Sequence, residues 1–283
     1  MINKEFEITS GSISGTHHVL SGTNNHDSHT FKTQSDFAIA LACDGCGSGE
    51  KSEIGSNIGI QMICKEISAR MHNLLITDGE VSTETMKRML DTVQQSVSWK
   101  IGNLIENMGS ERSFHCNAIN HFLFTVLGAL ITKKRTFLFS IGDGIFILNN
   151  GEIHLGPFPN NAPPYFIYDS VLKVAKNSDE DYKFQIIRSI PTYELENLMI
   201  GTDGVSDLIN KKDYCIPGKK NSVGEISQFF DNDYFSNQDL LRRKLAAINK
   251  PCDIIDWDSK RRQHFPGLLH DDTTLICIKR RNL

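Results

Sequence analysis

The stretch "LACDGCGSGEKSE", residues 41–53, carries side chains suited to three different chemistries. Gly45 to Ser52 approximates the phosphate-cradling pattern G-x-x-x-x-G-K-[ST], but Glu50 stands where glycine must precede Lys51. A P-loop wraps phosphate in inward-pointing amides, and a carboxylate there repels the anion. Cys43 and Cys46 form a C-x-x-C pair. Structural zinc asks for a second pair at similar spacing, and Cys64, Cys116, Cys215, Cys252 and Cys277 are isolated. A redox dithiol at a helix start then competes with the plainer reading, a buried strand thiol followed by a small loop residue, and the plainer one is favoured. The third chemistry belongs to Asp44 and Gly45. A carboxylate on a strand tip, beside a turn, suits a hard metal ion.

That third construction recurs. "FSIGDGIFIL" sets Asp143 after an apolar run, "LMIGTDGVSDLI" sets Asp203 after another, and "GLLHDDTTLICI" sets Asp271 and Asp272 before a third. One Asp-Gly is an ordinary turn. Carboxylates at several strand ends can be projected into one cleft, where divalent cations relieve their repulsion. Oxygen ligands of this type suit Mg²⁺ or Mn²⁺ better than zinc. His26, in the polar loop "NNHDSH", reads either as an imidazole near such a metal or as a surface histidine; His29 reads as structural.

The elements that must hold these groups are legible from periodicity. "DFAIALAC" (36–43) is a buried strand that breaks at Asp44-Gly45. Ile54, Ile58, Met62, Ile67 and Met71 then recur at helical spacing, and Met86, Leu90, Val93, Val97, Ile101 and Leu104 give a second helix over 83–107, capped by Ser82 or Thr83. Strands are expected over 121–132, 135–142 and 144–155, the last folded at Asn150-Gly151; short links favour antiparallel pairing among them. Further strands are expected at 183–190, 195–202 and 273–280, with a helix at 239–248 and a Pro-rich loop at 156–166. Helices and strands segregate along the chain, which predicts an α+β fold with antiparallel sheets, organised as one domain over 1–283.

Composition narrows the partners. In 283 residues, 39% hydrophobic and 23% charged, a formal charge of −4 offers no basic field for nucleic acid. The longest apolar stretch, "FLFTVLGALI", falls short of the ~20 residues of a membrane helix, and the N-terminus lacks the apolar core of a signal peptide. Seven cysteines without a framework spacing fit free thiols in a reducing cytoplasm.

Taken in order, "NNHDSH", "ACDGCGSGE", "FSIGDG", "LMIGTDGVSDLI" and "HDDTTLICI" resemble the metal-dependent protein phosphatase family, the type 2C Ser/Thr phosphatases, and most of all its compact stand-alone bacterial members. The blocks run from about Gly22 to Lys279. The resemblance implies two packed antiparallel sheets flanked by helices, and hydrolysis of phosphoserine and phosphothreonine in proteins by a water activated at a binuclear centre of Mn²⁺ or Mg²⁺. It also implies Asp44 as bridging ligand with the Gly45 carbonyl beside it, Asp203 and Asp271 as terminal ligands, and Asp143 on a third metal. Asp27 would orient a metal-bound water, and His26 stands where the family often has a metal-linked Glu. Gly22 replaces a phosphate-gripping Arg, and Cys46 replaces the His of animal members. The segment 156–182 corresponds to a flap over the cleft. The implied partner is a phosphorylated protein, with an opposing Ser/Thr kinase as a second candidate. The competing class is a pseudophosphatase that binds phosphoproteins, motivated by Gly22 and His26.

Overall fold

The computed structural model describes residues 1–78, 81–108, 113–174, 182–258 and 260–281. Among them, the chain runs α1 (Ile2–Glu5), β1 (Phe6–Ile13), α2 (Thr16–Ser21), β2 (Ser28–Thr33), β3 (Phe37–Cys43), α3 (Glu53–Asp78), α4 (Thr83–Asn107), α5 (Phe114–Phe122), β4 (Val126–Thr132), β5 (Arg135–Ile141), β6 (Gly144–Leu148) and β7 (Gly151–Leu155). It continues through β8 (Gln185–Pro191), β9 (Asn197–Gly201), α6 (Val205–Asn210), α7 (Asn232–Ser236), α8 (Leu240–Asn249), β10 (Cys252–Asp256), β11 (Arg261–Phe265) and β12 (Thr273–Arg280). One five-stranded sheet has the order β1-β12-β9-β6-β7 and the other β2-β3-β4-β5-β8, while β10 and β11 form a separate hairpin. Every named pairing is antiparallel.

The layering follows from the two-residue period of the strands. On β3, Phe37, Ile39, Leu41 and Cys43 face the core shared with α3, α4 and α5. Their neighbours Ala38, Ala40 and Ala42 face the other sheet, where they meet Leu198, Ile200, Ile276 and Ile278. Small residues on the inner face let the sheets pack closely, and large ones on the outer face fill the gap to the helices. The second sheet repeats the pattern: Leu275 and Cys277 of β12 pack toward Leu241, Leu245 and Ile248 of α8 and Val205 of α6. Four layers result, α-β-β-α, as the sequence leads one to expect. The predicted helix over 83–107 is α4, whose Ser82 side chain accepts the Thr85 N–H at 3.0 Å.

Three local expectations change. The strand expected from 121 starts at Val126, because His121 and Phe122 close α5, which Ser113 caps. The turn expected at Asn150-Gly151 centres on Asn149 and Asn150, both at positive φ, and Gly151 already pairs with Leu148. Most consequential, β5 and β6 do not pair. Gly142 (φ 98°) and Gly144 (φ 135°) carry the chain across Asp143 from one sheet into the other. A Cβ on Gly142 would sit 2.5 Å from Thr125, and one on Gly144 would sit 2.7 Å from the Gly201 oxygen, so this crossing takes only glycine.

Ala40 lies opposite Ala129 on β4 and is 1% exposed. Replacing it with leucine forces extra volume between the sheets. Ala40→Leu is expected to destabilise the protein by about 1–3 kcal/mol, read as a lower urea midpoint.

Candidate metal centre

Strand ends from both sheets meet where the two sheets abut. β3 ends at Cys43 and presents Asp44; Thr125, just before β4, holds that turn by donating its N–H to the Asp44 carbonyl at 2.8 Å. The Asp44 N–H in turn donates to the Thr125 hydroxyl at 3.3 Å. Asp143 fills the crossing between β5 and β6. Asp203 follows β9, and its carbonyl accepts the Ser206 N–H at 2.9 Å at the start of α6. Asp271 and Asp272 precede β12, and Asp27 precedes β2. Gly45 pairs with Phe124 in an isolated antiparallel bridge. A Cβ there would lie 2.8 Å from both the His26 carbonyl and the Ser52 hydroxyl, so the backbone of the 22–28 loop rests directly on this glycine.

The carboxylates feel one another. Burial pushes Asp44 well above the usual carboxylate range, and the charges of Asp27, Asp203, Asp271 and Asp143 push it further. Asp203 is pushed up to about 7 by burial and then by Asp271 and Asp143, while a hydrogen bond with Asp44 acts in the opposite direction. Asp143 is raised by burial and by Asp271. Asp27 is raised well above its ordinary value by burial and by Asp272, against hydrogen bonds from Thr202 and Thr274. Two physical causes, desolvation and like charge, thus act together on residues from separate elements. The polypeptide alone holds this cluster by keeping protons on it. A divalent cation would do so by ionising it.

Asp27 shows the fit most directly. It is 5% exposed; its Oδ2 accepts the Thr202 hydroxyl at 2.7 Å, and its Oδ1 is buried with no protein partner. Such an oxygen is costly to leave unmatched unless a cation or its water meets it. The donor set, all carboxylate and carbonyl oxygen, suits Mg²⁺ or Mn²⁺.

Asp272 plays a different part. Its Oδ1 accepts the Gly15 N–H at 2.8 Å, and its Oδ2 accepts the His26 N–H at 2.5 Å and lies 2.8 Å from Nδ1 of His18. One buried carboxylate therefore ties the β1–α2 link and the 22–28 loop to the head of β12. From the sequence, Asp272 groups with Asp271, and nothing singles out His18 or Thr202. The only signals were the doubled "DD" and "HH", and neither gives a direction for its side chains.

The His26 ring lies against His18, tilted by 49° with centroids 4.3 Å apart, and its Nε2 lies 3.7 Å from Oε2 of Glu53. Burial and His18 lower the His26 pKa, against the pull of Asp272, Glu53 and Asp271. His29 sits on β2 opposite Ala42, a structural position. Cys43 is a core residue whose thiol is pushed up by burial and by Asp27 and Asp44, and Cys46 is buried 3.1 Å from the Ser48 hydroxyl; both are free. A thiol held neutral inside the core, as that of Cys43 is, makes a poor nucleophile, which argues against the dithiol reading. Gly22, at φ 69°, ends α2 in the left-handed region.

A cleft of about 350 Å³ is lined by Asp143, His154, Pro157, Asp203 and Ser206. A wider groove of about 720 Å³ continues from Gly156 past Phe158, Pro164, Tyr168 and Lys183. The expected flap, 156–182, is tied down in its middle. Phe166 donates its N–H to Phe124 at 2.9 Å, and the Gln94 side chain donates to the carbonyls of Phe166 and Tyr182. Residues 175–181 of that segment lie outside the described residues.

A family model described as protein phosphatase 2C matches residues 14–246. A search of curated proteins finds no match. Among solved structures, serine-threonine phosphatase 2C from Toxoplasma gondii superposes with a TM-score of 0.55 at 11% identity, covering 98% of this chain and 95% of that one. Serine/threonine phosphatase Stp1 from Staphylococcus aureus gives 0.52 at 13% identity, covering 98% and 96%. A bacterial serine phosphatase bearing a point mutation gives 0.52 at 12% identity over 98% and 99%. At these identities the structures speak for the fold, two antiparallel sheets flanked by helices, and the family model speaks for the family.

The raised carboxylates set a pH dependence. With Asp203 moved from 3.8 to about 7, the folded state binds protons that the unfolded chain has released. Its contribution to stability is complete below the unfolded value and is lost as pH rises through about 7. In chelator, the melting temperature should therefore fall between pH ~4 and ~7. Saturating Mg²⁺ or Mn²⁺ should remove that fall, raising the midpoint more at pH ~8 than at pH ~5, by on the order of 5 °C. Thermal melts across this range, with and without cation, check it.

Proposed function

The chain belongs to the protein phosphatase 2C family and is a protein Ser/Thr phosphatase, and from that premise we propose that it hydrolyses phosphoserine and phosphothreonine with the help of two or three Mn²⁺ or Mg²⁺ ions. Asp44, the Gly45 carbonyl, Asp203 and Asp271 would hold two of them, and Asp143 the third. The observation that carries this reading is the mutual perturbation of Asp44, Asp143 and Asp203, brought from three separate turns into one field with Asp271.

Bound divalent cations supply Lewis acidity that makes water nucleophilic near neutral pH and offsets the charge of the phosphoryl group. Asp27 would orient the attacking water. Its Oδ2 is fixed by Thr202, and its Oδ1 is free to accept. Thr202 is itself fixed, since its hydroxyl also accepts the Thr274 N–H at 3.0 Å across the β9–β12 pair. Preorganisation of this kind means the acceptor does not reorganise as the reaction proceeds. Neither Cys43 nor Cys46 is given a covalent role.

Residues 1–283 act as one catalytic unit in this reading; pairing of β1 with β12, from opposite ends of the sequence, supports it. The seven unpaired cysteines support a reducing, cytoplasmic setting, and no described helix is long and apolar enough to cross a membrane. The chemistry requires a phosphorylated protein as substrate and therefore an opposing Ser/Thr kinase as its source. The pseudophosphatase alternative gains nothing from the site, where the acidic residues remain gathered.

Asp203→Asn is expected to cut hydrolysis of an aryl phosphate and of a phosphothreonine peptide by orders of magnitude with the circular dichroism spectrum unchanged. Near-normal turnover would rule out the ligand assignment. The part of the flap that lines both the cleft and the groove is 157–164. Shortening it should change the ratio of kcat/KM between phosphopeptides more than it changes Mn²⁺ affinity, and the opposite split would defeat that role.

A further inference from the structure

The groove beside the metal centre is continuous with the cleft. Both are lined by His154, Leu155 and Gly156, so whatever enters the cleft between Asp143 and Asp203 has the groove beside it. The cleft holds about 350 Å³ and the groove about 720 Å³, room for several side chains that flank a phosphorylated one.

The groove is built from the open ends of both sheets. β7 and β8 are each the outermost strand of their sheet. Leu155 of β7 and Ile187 of β8 line the groove while packing in part on the core between the sheets. Tyr168 and Tyr182 add an aromatic wall, their rings meeting edge to face at 5.3 Å. That wall is anchored from below, since the Gln94 side chain donates to the Tyr182 carbonyl at 2.6 Å. Phe158 and Pro164 bring further apolar surface from the flap, where proline also fixes φ. Walls held in this way bind an extended chain with little ordering cost of their own. Among the described residues no carboxylate lines the groove, and the Lys183 side chain has no ion-pair partner there.

We propose that this groove seats the extended segment of the phosphoprotein next to the phosphorylated residue, selecting segments with apolar side chains and rejecting basic ones. The inference rests on the phosphatase reading of the cleft and names the class of substrate that the reading leaves open. An apolar side chain placed among Leu155, Phe158 and Ile187 leaves water, whereas a lysine there loses hydration and meets the charge of Lys183. The outer strands also offer backbone donors and acceptors to an extended chain.

The test is a set of phosphothreonine peptides of equal length, with leucine, serine or lysine scanned along each flank. They are assayed on the full chain with Mn²⁺, beside an aryl phosphate that has no flanks. On one flank, leucine is expected to exceed serine in kcat/KM on the order of 10-fold, mainly through KM, and lysine to fall below serine. Phe158→Ala, a change in a loop outside both sheets, should bring the leucine-to-serine ratio close to one. Lys183→Glu should raise the lysine peptides relative to serine. The proposal is overturned if the three peptide types are hydrolysed alike, if lysine is preferred, or if both variants leave the ratios unchanged. Failure to hydrolyse any compound, the aryl phosphate included, would defeat the phosphatase reading instead. Fluorescence anisotropy of labelled peptides then decides the groove separately: tighter binding of leucine than of lysine peptides supports it, and equal binding overturns it.

Discussion

Like-charge repulsion among carboxylates that the fold removes from bulk water is the constraint around which this molecule is built. At about 5 Å and an effective dielectric constant near 20, each such pair costs about 3 kcal/mol. Burial first and like charge second raise Asp44, Asp143 and Asp203, so ionising all three together is costly without a cation. A cluster of that cost persists only if the rest of the structure over-determines it. The two sheets do so: each strand end is held by hydrogen bonds to its neighbours, and the apolar faces on both sides exclude sliding. The alanines of β3 serve the same end, since they set how closely the sheet bearing Asp44 approaches the sheet bearing Asp203.

The second determinant is a carboxylate with a mechanical use. Asp272 accepts two backbone N–H groups and lies against His18, and these contacts span more than 240 positions of sequence. Charge-assisted bonds from buried donors are among the stronger polar contacts. Through them the loop bearing Asp27 is registered against the strand head bearing Asp271. Neighbouring aspartates thus divide their work, Asp271 exposed and acting on the charges of Asp44, Asp143 and Asp203, Asp272 buried and structural.

Much of this was legible in the sequence, and the misses have a common cause. Strands with dense apolar runs, β3, β4, β5 and β12, and the amphipathic α4 announce themselves, because the pattern that reveals them is the pattern that buries them. β1, "FEITSGSI", and β2, "SHTFKT", do not. They are strands because β12 and β3 offer them complete antiparallel registers, a long-range fact absent from local composition. The link between β5 and β6 resembled a hairpin because nothing in "IGDG" says which sheet the next strand joins; the answer lies in the Thr125 and Gly201 contacts that crowd both glycines. For the site, the aspartates on strand tips could be identified as a set, since turn chemistry exposes them. Their supports, Thr202, His18 and Glu53, could not, since a hydroxyl or imidazole acquires its role only from what it meets in space.

Two departures from the family pattern are linked by the structure. Where the family resemblance leads one to expect a carboxylate, this chain has His26. Glu53 brings a carboxylate back within 3.7 Å of it from the start of α3, where the helix dipole also favours an anion. Where an Arg is usual, Gly22 closes α2 in the left-handed region, a backbone conformation an Arg would adopt only under strain, although there is open space for its side chain. The 22–28 loop therefore works as a unit. Its glycine sets the turn, and that turn delivers His26 to His18 and Asp272 and leaves Asp27 with one oxygen toward the centre.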